Sequence, residues 1–361
     1  MTNKLFIPGP TEVRKEVLQE LSNPQIGHRT QEFKELFGSL KSGLKKLFCT
    51  KNDVLISTSS GSGFWESSIR SCVNENVLHA VNGAFSNKWA NVSERCDKKV
   101  EKISFEWGKS VKASVVDKAL SNGKFECFCM VHNETSTGVS SNLEEIAEVM
   151  KKHPEVLWFV DVVSSIGGMK IEVDKLGIDF ALASSQKAIA LPAGISFASV
   201  SSSCYEKAES VSGRGYYFDI LELKKAYDKD QTPYTPSIPH LYAMKKQLNR
   251  FETEGLENRF KRHFEMAEYV RNWAKKNGFE MFSEEGCQSN TVSCMVNTKK
   301  IDFEKIKKEF AAKGYSIDSG YGKLNKKLEE LGKDTTFRIG HMGDLTIEEL
   351  KELTGELEKY F

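Results

Sequence analysis

Short apolar runs alternate with longer amphipathic stretches over the first two thirds of the chain. Six of these runs predict buried strands, at residues 54–58, 77–81, 125–131, 156–160, 178–183 and 195–200. The run at 156–160 contains no polar residue, which is typical of a parallel sheet covered on both faces. Apolar residues at helical spacing between positions 33 and 48, with Thr30 as N-cap, predict a helix, and Asn142 with Glu145 predicts the start of another. Strands alternating with helices predict an α/β sheet that binds ligands at the carboxyl ends of its strands.

The pattern changes after about residue 240. A long amphipathic helix at 241–271, interrupted at Gly255, precedes shorter units at 291–296, 303–313, 335–339 and 347–360. These shorter units predict a smaller α+β domain. We therefore divide the chain into an N-terminal segment (1–15), a large domain (16–250) and a small C-terminal domain (251–361).

Composition narrows the possible partners. The 361 residues carry a net charge of +1, with 28% charged and 39% hydrophobic residues, as in a soluble globular protein. Neither nucleic acid nor a membrane is expected as a partner, because no charge excess would attract one. The eight cysteines include no C-x-x-C pair, so we expect reduced thiols and neither disulfides nor a metal site. The start of the chain lacks a signal-peptide pattern and no apolar run reaches the roughly 18 residues of a membrane span, which predicts a cytoplasmic protein.

Lys187 lies on a short connection between two predicted core strands, within the small and apolar stretch 184–194. Burial disfavours the charged ammonium and lowers the pKa of a lysine, and a neutral amine can attack a carbonyl to form a Schiff base. The alternative is an ordinary surface lysine, one of 51 lysines and arginines. Neighbouring predicted elements favour the first interpretation.

Two further features would meet Lys187 at the edge of a parallel sheet. Asp161 directly follows the most apolar strand, although it could serve only as a helix cap. The Gly61-Ser62-Gly63 loop precedes a predicted helix, where backbone N–H groups can bind an anion, although it could be a plain turn. It is neither a P-loop nor a dinucleotide fingerprint, because no Gly-Lys-Ser/Thr follows and Glu66 replaces the third glycine. An amine, a carboxylate and an anion cradle together suggest pyridoxal phosphate (PLP).

Seven segments in the same order give the chain a wider resemblance, at residues 6–11, 61–66, 132–139, 160–165, 184–188, 233–238 and 337–343. With these segments the sequence resembles the class V aminotransferases of fold type I, nearest to the serine:glyoxylate and alanine:glyoxylate (serine:pyruvate) enzymes. The resemblance covers nearly the whole chain. It implies a PLP-dependent fold with a mostly parallel seven-stranded sheet in the large domain and a smaller C-terminal α+β domain.

The resemblance also implies roles around the cofactor. Lys187 would carry PLP as a Schiff base and move the proton between the substrate Cα and C4′ of the cofactor. Asp161 would pair with the pyridinium nitrogen, Thr135 would approach the ring hydroxyl, and Phe85 would stack on the ring. The phosphate would be bound by Ser62, Gly63, Phe64 and Gln186. Outside this family, Phe85 would be taken for a core aromatic residue.

Substrate and subunit contacts follow from the same resemblance. Arg338 would bind the substrate α-carboxylate as a bidentate fork, a geometry that lysine cannot supply. Tyr234 and Ser237 would reach the phosphate of the neighbouring subunit's cofactor, which implies a homodimer with active sites at the subunit interface. Otherwise Tyr234 would be a turn residue and Arg338 half of a structural salt bridge.

The substrate is the least determined part. His28 and Arg29 precede a helix start, a good place for an anion, and phosphoserine aminotransferases carry a similar pair. A structural salt bridge for Arg29 is the alternative. We expect a ping-pong transaminase that moves the amino group of serine or alanine to glyoxylate or pyruvate, with phosphoserine:2-oxoglutarate as the second hypothesis. A third is a PLP lyase of the cysteine desulfurase type, for which Cys287 is the candidate nucleophile.

Overall fold

The predicted apolar runs form the centre of one large sheet in the computed structural model, which describes residues 4–361. The strands are β1 (Lys4–Leu5), β2 (Asp53–Ser57), β3 (Asn76–Val81), β4 (Lys99–Ser104), β5 (Cys127–Val131), β6 (Asn133–Glu134), β7 (Val139–Ser140), β8 (Leu157–Asp161), β9 (Phe180–Ser184), β10 (Ser196–Val200), β11 (Glu280–Met281), β12 (Val292–Val296), β13 (Tyr315–Ser316) and β14 (Thr336–Gly340).

Fourteen α-helices accompany these strands in residues 4–361. They are α1 (Lys15–Gln19), α2 (Gln31–Phe48), α3 (Gly61–Cys72), α4 (Ala84–Arg95), α5 (Ala113–Asn122), α6 (Leu143–Met150), α7 (Val173–Leu176), α8 (Ser202–Glu209), α9 (Ile220–Tyr227), α10 (Ile238–Glu254), α11 (Leu256–Lys276), α12 (Phe303–Ala312), α13 (Gly322–Glu330) and α14 (Ile347–Leu357). Short 3₁₀ turns at Glu20–Ser22 and Glu358–Tyr360 extend α1 and α14. No helix of this part of the chain is long and apolar enough to cross a bilayer.

The central sheet has seven strands in the order β2-β10-β9-β8-β5-β3-β4. All neighbouring strands run parallel except β10, which is antiparallel to both β2 and β9. The mostly parallel seven-stranded sheet is therefore confirmed. Six of its strands coincide with predicted runs, whereas β4 was missed. Its alternating charged residues lie at an exposed edge, where burial imposes no apolar pattern.

Helix starts follow the predicted capping residues. The Thr30 side chain accepts a hydrogen bond from the Phe33 N–H, and Asn142 accepts one from the Glu145 N–H. The interruption predicted at Gly255 within the helix at 241–271 is confirmed. Two helices, α10 and α11, meet at Gly255, whose φ of +78° belongs to a left-handed conformation that ends a helix.

Apolar side chains form two large clusters. The first extends from Val17 to Phe251 and packs on both faces of the seven-stranded sheet. The second combines Phe6 with residues between Met266 and Leu357, around the three-stranded sheet β11-β12-β14. Strand β1 pairs in parallel with β13 and so attaches the start of the chain to the second cluster. The boundary proposed between residues 250 and 251 lies one residue before the end of the first cluster at Phe251, and the domain division stays a prediction.

A fully buried guanidinium joins the segments that meet between these clusters. Arg259 of α11 donates to the carbonyls of Gly167, Ala188 and Gly343, and to the carboxylates of Glu254 and Asp344. All five of its N–H groups are therefore used. The guanidinium also lies 4.3 Å from the centre of the Phe251 ring. Because every N–H donor has an acceptor and two of the acceptors are carboxylates, the unfavourable burial of the Arg259 charge is offset.

Replacing this arginine is expected to be costly. Arg259→Ala leaves the buried Asp344 carboxylate and three carbonyls without their shared donor, so we expect the free energy of unfolding to fall by about 3–5 kcal/mol. Urea denaturation monitored by tryptophan fluorescence measures the change. The matched control is Arg95→Ala on the exposed face of α4, which should change it by less than about 0.5 kcal/mol. Equal losses in the two variants would contradict this account of Arg259.

Candidate active site

Lys187 lies in the connection between β9 and β10, just beyond the carboxyl end of β9. Its amine donates a hydrogen bond to the Pro8 carbonyl. Burial lowers the pKa of Lys187 to about 8, and the Arg338 guanidinium acts in the same direction. A fraction of the amine is thus neutral near physiological pH, as a nucleophile requires.

The turn Pro8-Gly9-Pro10-Thr11 covers this lysine. The Thr11 N–H donates to the Gln186 carbonyl at 3.0 Å, and the Thr11 hydroxyl donates to the Lys187 carbonyl at 3.0 Å. Gly9 has a φ of +97°, and a Cβ at this position would stand 2.6 Å from the Lys187 Cδ. The turn can approach the lysine this closely only because residue 9 is glycine.

Asp161 is the last residue of β8, two strands from β10 in the sheet. One carboxylate oxygen accepts the Trp65 indole N–H at 2.7 Å, and the other accepts the Val163 N–H at 2.8 Å. Burial raises the pKa of Asp161 to about 7, while Lys187 acts in the opposite direction. A cation bound beside this carboxylate would favour its ionised form. Trp65 was not predicted to have a role, and its ring in turn stacks on Trp89.

Two adjoining cavities gather most of the predicted residues at the carboxyl ends of the strands. The first, of about 100 Å³, is lined among others by Ser62, Phe85, Thr135, Asp161, Gln186 and Lys187. The second, of about 420 Å³, shares Phe85, Thr135 and Lys187 with the first and adds Arg338. Lys187 therefore faces both an inner cavity beside Asp161 and an outer cavity beside Arg338.

The predicted anion cradle is the start of α3. Ser60, Gly61 and Ser62 line the inner cavity, where the first N–H groups of the helix lie. Gly63 and Phe64 do not line it. The Gly63 N–H donates to the Ser60 carbonyl at 2.9 Å, and the Phe64 ring packs near Phe180 in the core. Their proposed contacts with the phosphate stay predictions.

Phe85 is held by a residue that the sequence did not single out. The buried Glu134 carboxylate accepts the N–H groups of Phe85 and Ser86 at the start of α4, at 3.0 and 2.9 Å, and the Ser136 hydroxyl at 2.6 Å. A carboxylate is favourable at a helix N-terminus. Glu134 belongs to β6, 49 residues from Phe85, so no sequence spacing indicates the pairing. Its contacts hold the Phe85 backbone against the inner cavity.

Arg338 on β14 lines the outer cavity but is not free of partners. Its Nε and Nη2 donate to the two Asp318 oxygens at 2.8 and 3.0 Å, and Nη1 donates to the Thr135 carbonyl at 2.8 Å. The structural salt bridge considered from the sequence is therefore present beside the cavity predicted to bind the substrate. Asp318 was missed, because it lies in an irregular turn 20 residues before Arg338.

Four predicted residues lie away from these two cavities. Arg29 donates to the carbonyls of Thr232 and Pro233 at 2.5 and 2.8 Å instead of forming a salt bridge, and His28 precedes it. The Tyr234 ring stacks on Tyr217 with a centroid distance of 4.8 Å, and Ser237 lies 2.7 Å from the His240 imidazole. The lining residues of both cavities include none of His28, Arg29, Tyr234 and Ser237.

Cys287, the candidate nucleophile of the lyase hypothesis, lies elsewhere. It lines a separate cavity of about 470 Å³ with His132 and Arg271. The described lining of both cavities beside Lys187 contains no cysteine. Within residues 4–361, Cys287 is therefore not placed beside Lys187 for that chemistry.

Pyridoxal phosphate fits this site by the chemistry of its donors. An amine of lowered pKa, a buried carboxylate, a helix N-terminus and an aromatic side chain line one cavity, and each suits a different part of the cofactor. Asn133 also lines this cavity, and its buried side-chain oxygen has no hydrogen-bond partner in residues 4–361. Fold and site together define a PLP-dependent transaminase.

Comparisons with known proteins agree. The family model described as aminotransferase class-V matches residues 5–353, and the chain belongs to this family. An uncharacterized aminotransferase of Methanocaldococcus jannaschii is 37% identical over 345 residues, 94% of this chain and 87% of that protein. A serine–glyoxylate aminotransferase of Methylorubrum extorquens is 33% identical over 358 residues, 95% of this chain and 87% of that protein. The structure of an alanine–glyoxylate aminotransferase of Nostoc sp. has a TM-score of 0.92 at 26% identity and covers 100% of this chain and 95% of that one.

The close approach of Gly9 to Lys187 generates one prediction. Gly9→Ala should move the lysine away from the cofactor and weaken PLP binding at least about tenfold, because the added Cβ overlaps the side chain. Equilibrium dialysis with absorbance of the lysine-bound cofactor measures the affinity. Gly177→Ala is the matched control, since Gly177 also has a positive φ but has no atom within 4 Å of an added Cβ. Both variants carry backbone strain of about 1 kcal/mol, and an equal loss of PLP affinity would contradict the prediction.

Burial of Asp161 predicts a pH dependence in the cofactor-free protein. Its folded-state pKa of about 7 lies above the ordinary value, so stability present at low pH is lost as the pH rises towards 7. Asp161→Asn removes this loss. The Tm of the variant relative to the parent should therefore increase between pH 5 and pH 8, by at least about 2 °C. The exposed Asp97→Asn should show no such trend, and a pH-independent difference for Asp161→Asn would refute the prediction.

Proposed function

We propose that this protein transfers the amino group of a small amino acid, serine or alanine, to glyoxylate or pyruvate by a ping-pong mechanism. The observation that carries the proposal is the outer cavity, where Arg338 faces the Lys187 side chain. An amino acid bound by its carboxylate at Arg338 would direct its Cα towards Lys187 and the inner cavity. The names of the Methylorubrum and Nostoc relatives support this choice of substrates.

Each residue has a task in this mechanism. When bound, PLP supplies the carbonyl carbon that receives the amino group and a ring that stabilises negative charge at the substrate Cα. The Lys187 Nζ would take the proton from Cα and return it at C4′, which its lowered pKa allows near neutral pH. Asp161 would keep the ring nitrogen protonated, Phe85 would cover one ring face, and Thr135 would lie near the ring hydroxyl.

The phosphate would bind at the start of α3, with Ser62, Gly63, Phe64 and Gln186 as its contacts. The N-terminus of a helix favours an anion, because its first N–H groups lack partners within the helix. The Gln186 side-chain oxygen accepts the Ser184 hydroxyl at 2.5 Å, which leaves its amide N–H groups for the ligand.

We further propose a homodimer in which Tyr234 and Ser237 contact the cofactor phosphate of the partner subunit. Both residues lie off the two cavities of their own chain, next to aromatic residues at the surface. Tyr216 is 77% exposed, and its ring lies 5.0 Å from that of Tyr234. An exposed aromatic cluster of this kind is typical of a protein interface.

Eight cysteines without a disulfide fit the proposed cytoplasmic location.

One observation favours the second hypothesis, a phosphoserine:2-oxoglutarate aminotransferase. The Arg29 guanidinium donates hydrogen bonds to the carbonyls of Thr232 and Pro233, the two residues before Tyr234. If Tyr234 reaches the neighbouring active site, then His28 and Arg29 lie close to that site as well. Two potentially cationic side chains there could receive a substrate phosphate.

Steady-state kinetics separate these two functions. We expect kcat/KM for serine or alanine with glyoxylate to exceed that for phosphoserine with 2-oxoglutarate at least about tenfold. The Lys187→Ala variant is the blank, which should lose the lysine-bound chromophore and at least about 100-fold in rate. A preference for phosphoserine would establish the second hypothesis. Sulfide release from cysteine without any 2-oxo acid would favour a lyase, and parent-like turnover in Lys187→Ala would refute the mechanism.

A further inference from the structure

The arginine of the outer cavity has two N–H groups left for a ligand. A guanidinium carries five N–H groups, and Arg338 uses three of them, two towards Asp318 and one towards the Thr135 carbonyl. One N–H therefore remains on each of the two terminal nitrogens. Two terminal nitrogens can bind one carboxylate in a bidentate manner while the Nε edge stays on Asp318.

The Asp318 carboxylate is itself fixed in place. Its Oδ1 also accepts the Gly320 N–H at 2.8 Å, and its backbone carbonyl accepts the Arg338 N–H at 3.3 Å. Gly320 has a φ of +95°, and a Cβ there would stand 2.2 Å from the Thr336 carbonyl oxygen. The turn is thus packed directly against β14. Rotation of the Asp318 carboxylate would break its hydrogen bond with the Gly320 N–H as well as both contacts with Arg338, so we expect the pair to persist when a ligand enters.

Asp318 also sets the charge of the cavity. It is the one acidic side chain among the described residues that line the outer cavity, and it neutralises Arg338 there. The remaining cations of the lining are Lys187 and the exposed Lys307 at the rim. A ligand with one carboxylate can accept hydrogen bonds from the two terminal nitrogens of Arg338. A second carboxylate nearby would be repelled by Asp318.

We propose that Asp318 is a positioning and specificity-determining residue, which orients Arg338 for one substrate carboxylate and disfavours substrates that carry a second one. This inference rests on the proposed function, since it assumes that the outer cavity binds the substrate. The selected class is the monocarboxylic amino acids and their 2-oxo acids. Asp318 acts through Arg338 and does not touch the reacting atoms.

Ligands that do not react test the proposal independently of turnover. Propionate and succinate are titrated into the holoenzyme, and the absorbance of the lysine-bound cofactor reports their binding. The parent should bind propionate at least about tenfold more tightly than succinate. Asp318→Asn removes the charge at nearly constant shape and should reduce this ratio at least about tenfold. Asp318→Glu keeps the charge but displaces the fork, so it should weaken both ligands and retain the preference.

Two further readouts separate positioning from mere stabilisation of the fold. In Asp318→Asn the KM for alanine should rise about tenfold with kcat changed less than about threefold. The absorbance of the lysine-bound cofactor should also titrate at lower pH. Arg338 lowers the pKa of Lys187, whereas Asp318 and Asp161 raise it, and the variant loses the contribution of Asp318 only. The exposed Asp97→Asn is the control and should change neither quantity.

The outcomes are distinct. A lower Tm in Asp318→Asn with an unchanged propionate-to-succinate ratio and an unchanged KM would show a structural ion pair only and overturn the proposal. If Asp318→Asn does not fold, loss of the preference in Asp318→Glu would overturn it equally. A parent that discriminates between the two acids as expected but transfers no amino group from serine or alanine would refute the proposed function and leave the role of Asp318 supported.

Discussion

The buried guanidinium of Arg259 is the interaction on which the rest of this structure depends. Its five N–H groups reach the loop after β8, the loop after Lys187, the end of α10 and the segment after β14. These four segments come from distant parts of the chain and include residues that adjoin the active site. The adjacent Gln247 amide donates to the Ile189 carbonyl and so adds a second contact to the Lys187 loop. A buried charge needs complete pairing, and that requirement fixes the relative positions of all four segments.

On this base, burial shifts the pKa values of two groups in opposite directions. The pKa of Asp161 rises to about 7 and that of Lys187 falls to about 8, because both lie in a poorly solvated cavity. A protonated ring nitrogen beside Asp161 would favour the ionised carboxylate. The neutral Lys187 amine would react with the carbonyl carbon of the cofactor. Binding of the cofactor would therefore offset the unfavourable free energy of burying the two groups. Trp65 contributes by holding the carboxylate in place.

Features encoded over short distances were predictable from the sequence, and features that join distant segments were not. The strands around Lys187 and Asp161 were predicted because burial on both faces leaves uninterrupted apolar runs. The proposed cofactor contacts follow from the family resemblance, whose motifs are a few residues long, and they stay predictions. Arg259 looked like any polar residue of an amphipathic helix, and Asp318 like any acid in a turn. Apart from Glu254, the partners of Arg259 lie 71 or more residues away, and Arg338 lies 20 residues after Asp318, so local spacing does not indicate these pairs. The sequence indicated an interruption at Gly255. It did not indicate the positive φ with which this residue divides the helix in two.

The covering turn at residues 8–11 has a consequence for how the two halves of the molecule communicate. Its beginning is attached to the C-terminal half, since the Gly340 N–H donates to the Phe6 carbonyl at 2.7 Å, and its end is attached to Lys187 through Thr11. The same peptide thus spans both halves and presents the Pro8 carbonyl to the amine. A ligand that displaced the C-terminal half would move the Pro8 carbonyl and so change the proton affinity of Lys187. By thermodynamic reciprocity, protonation of the lysine must change the affinity for that ligand.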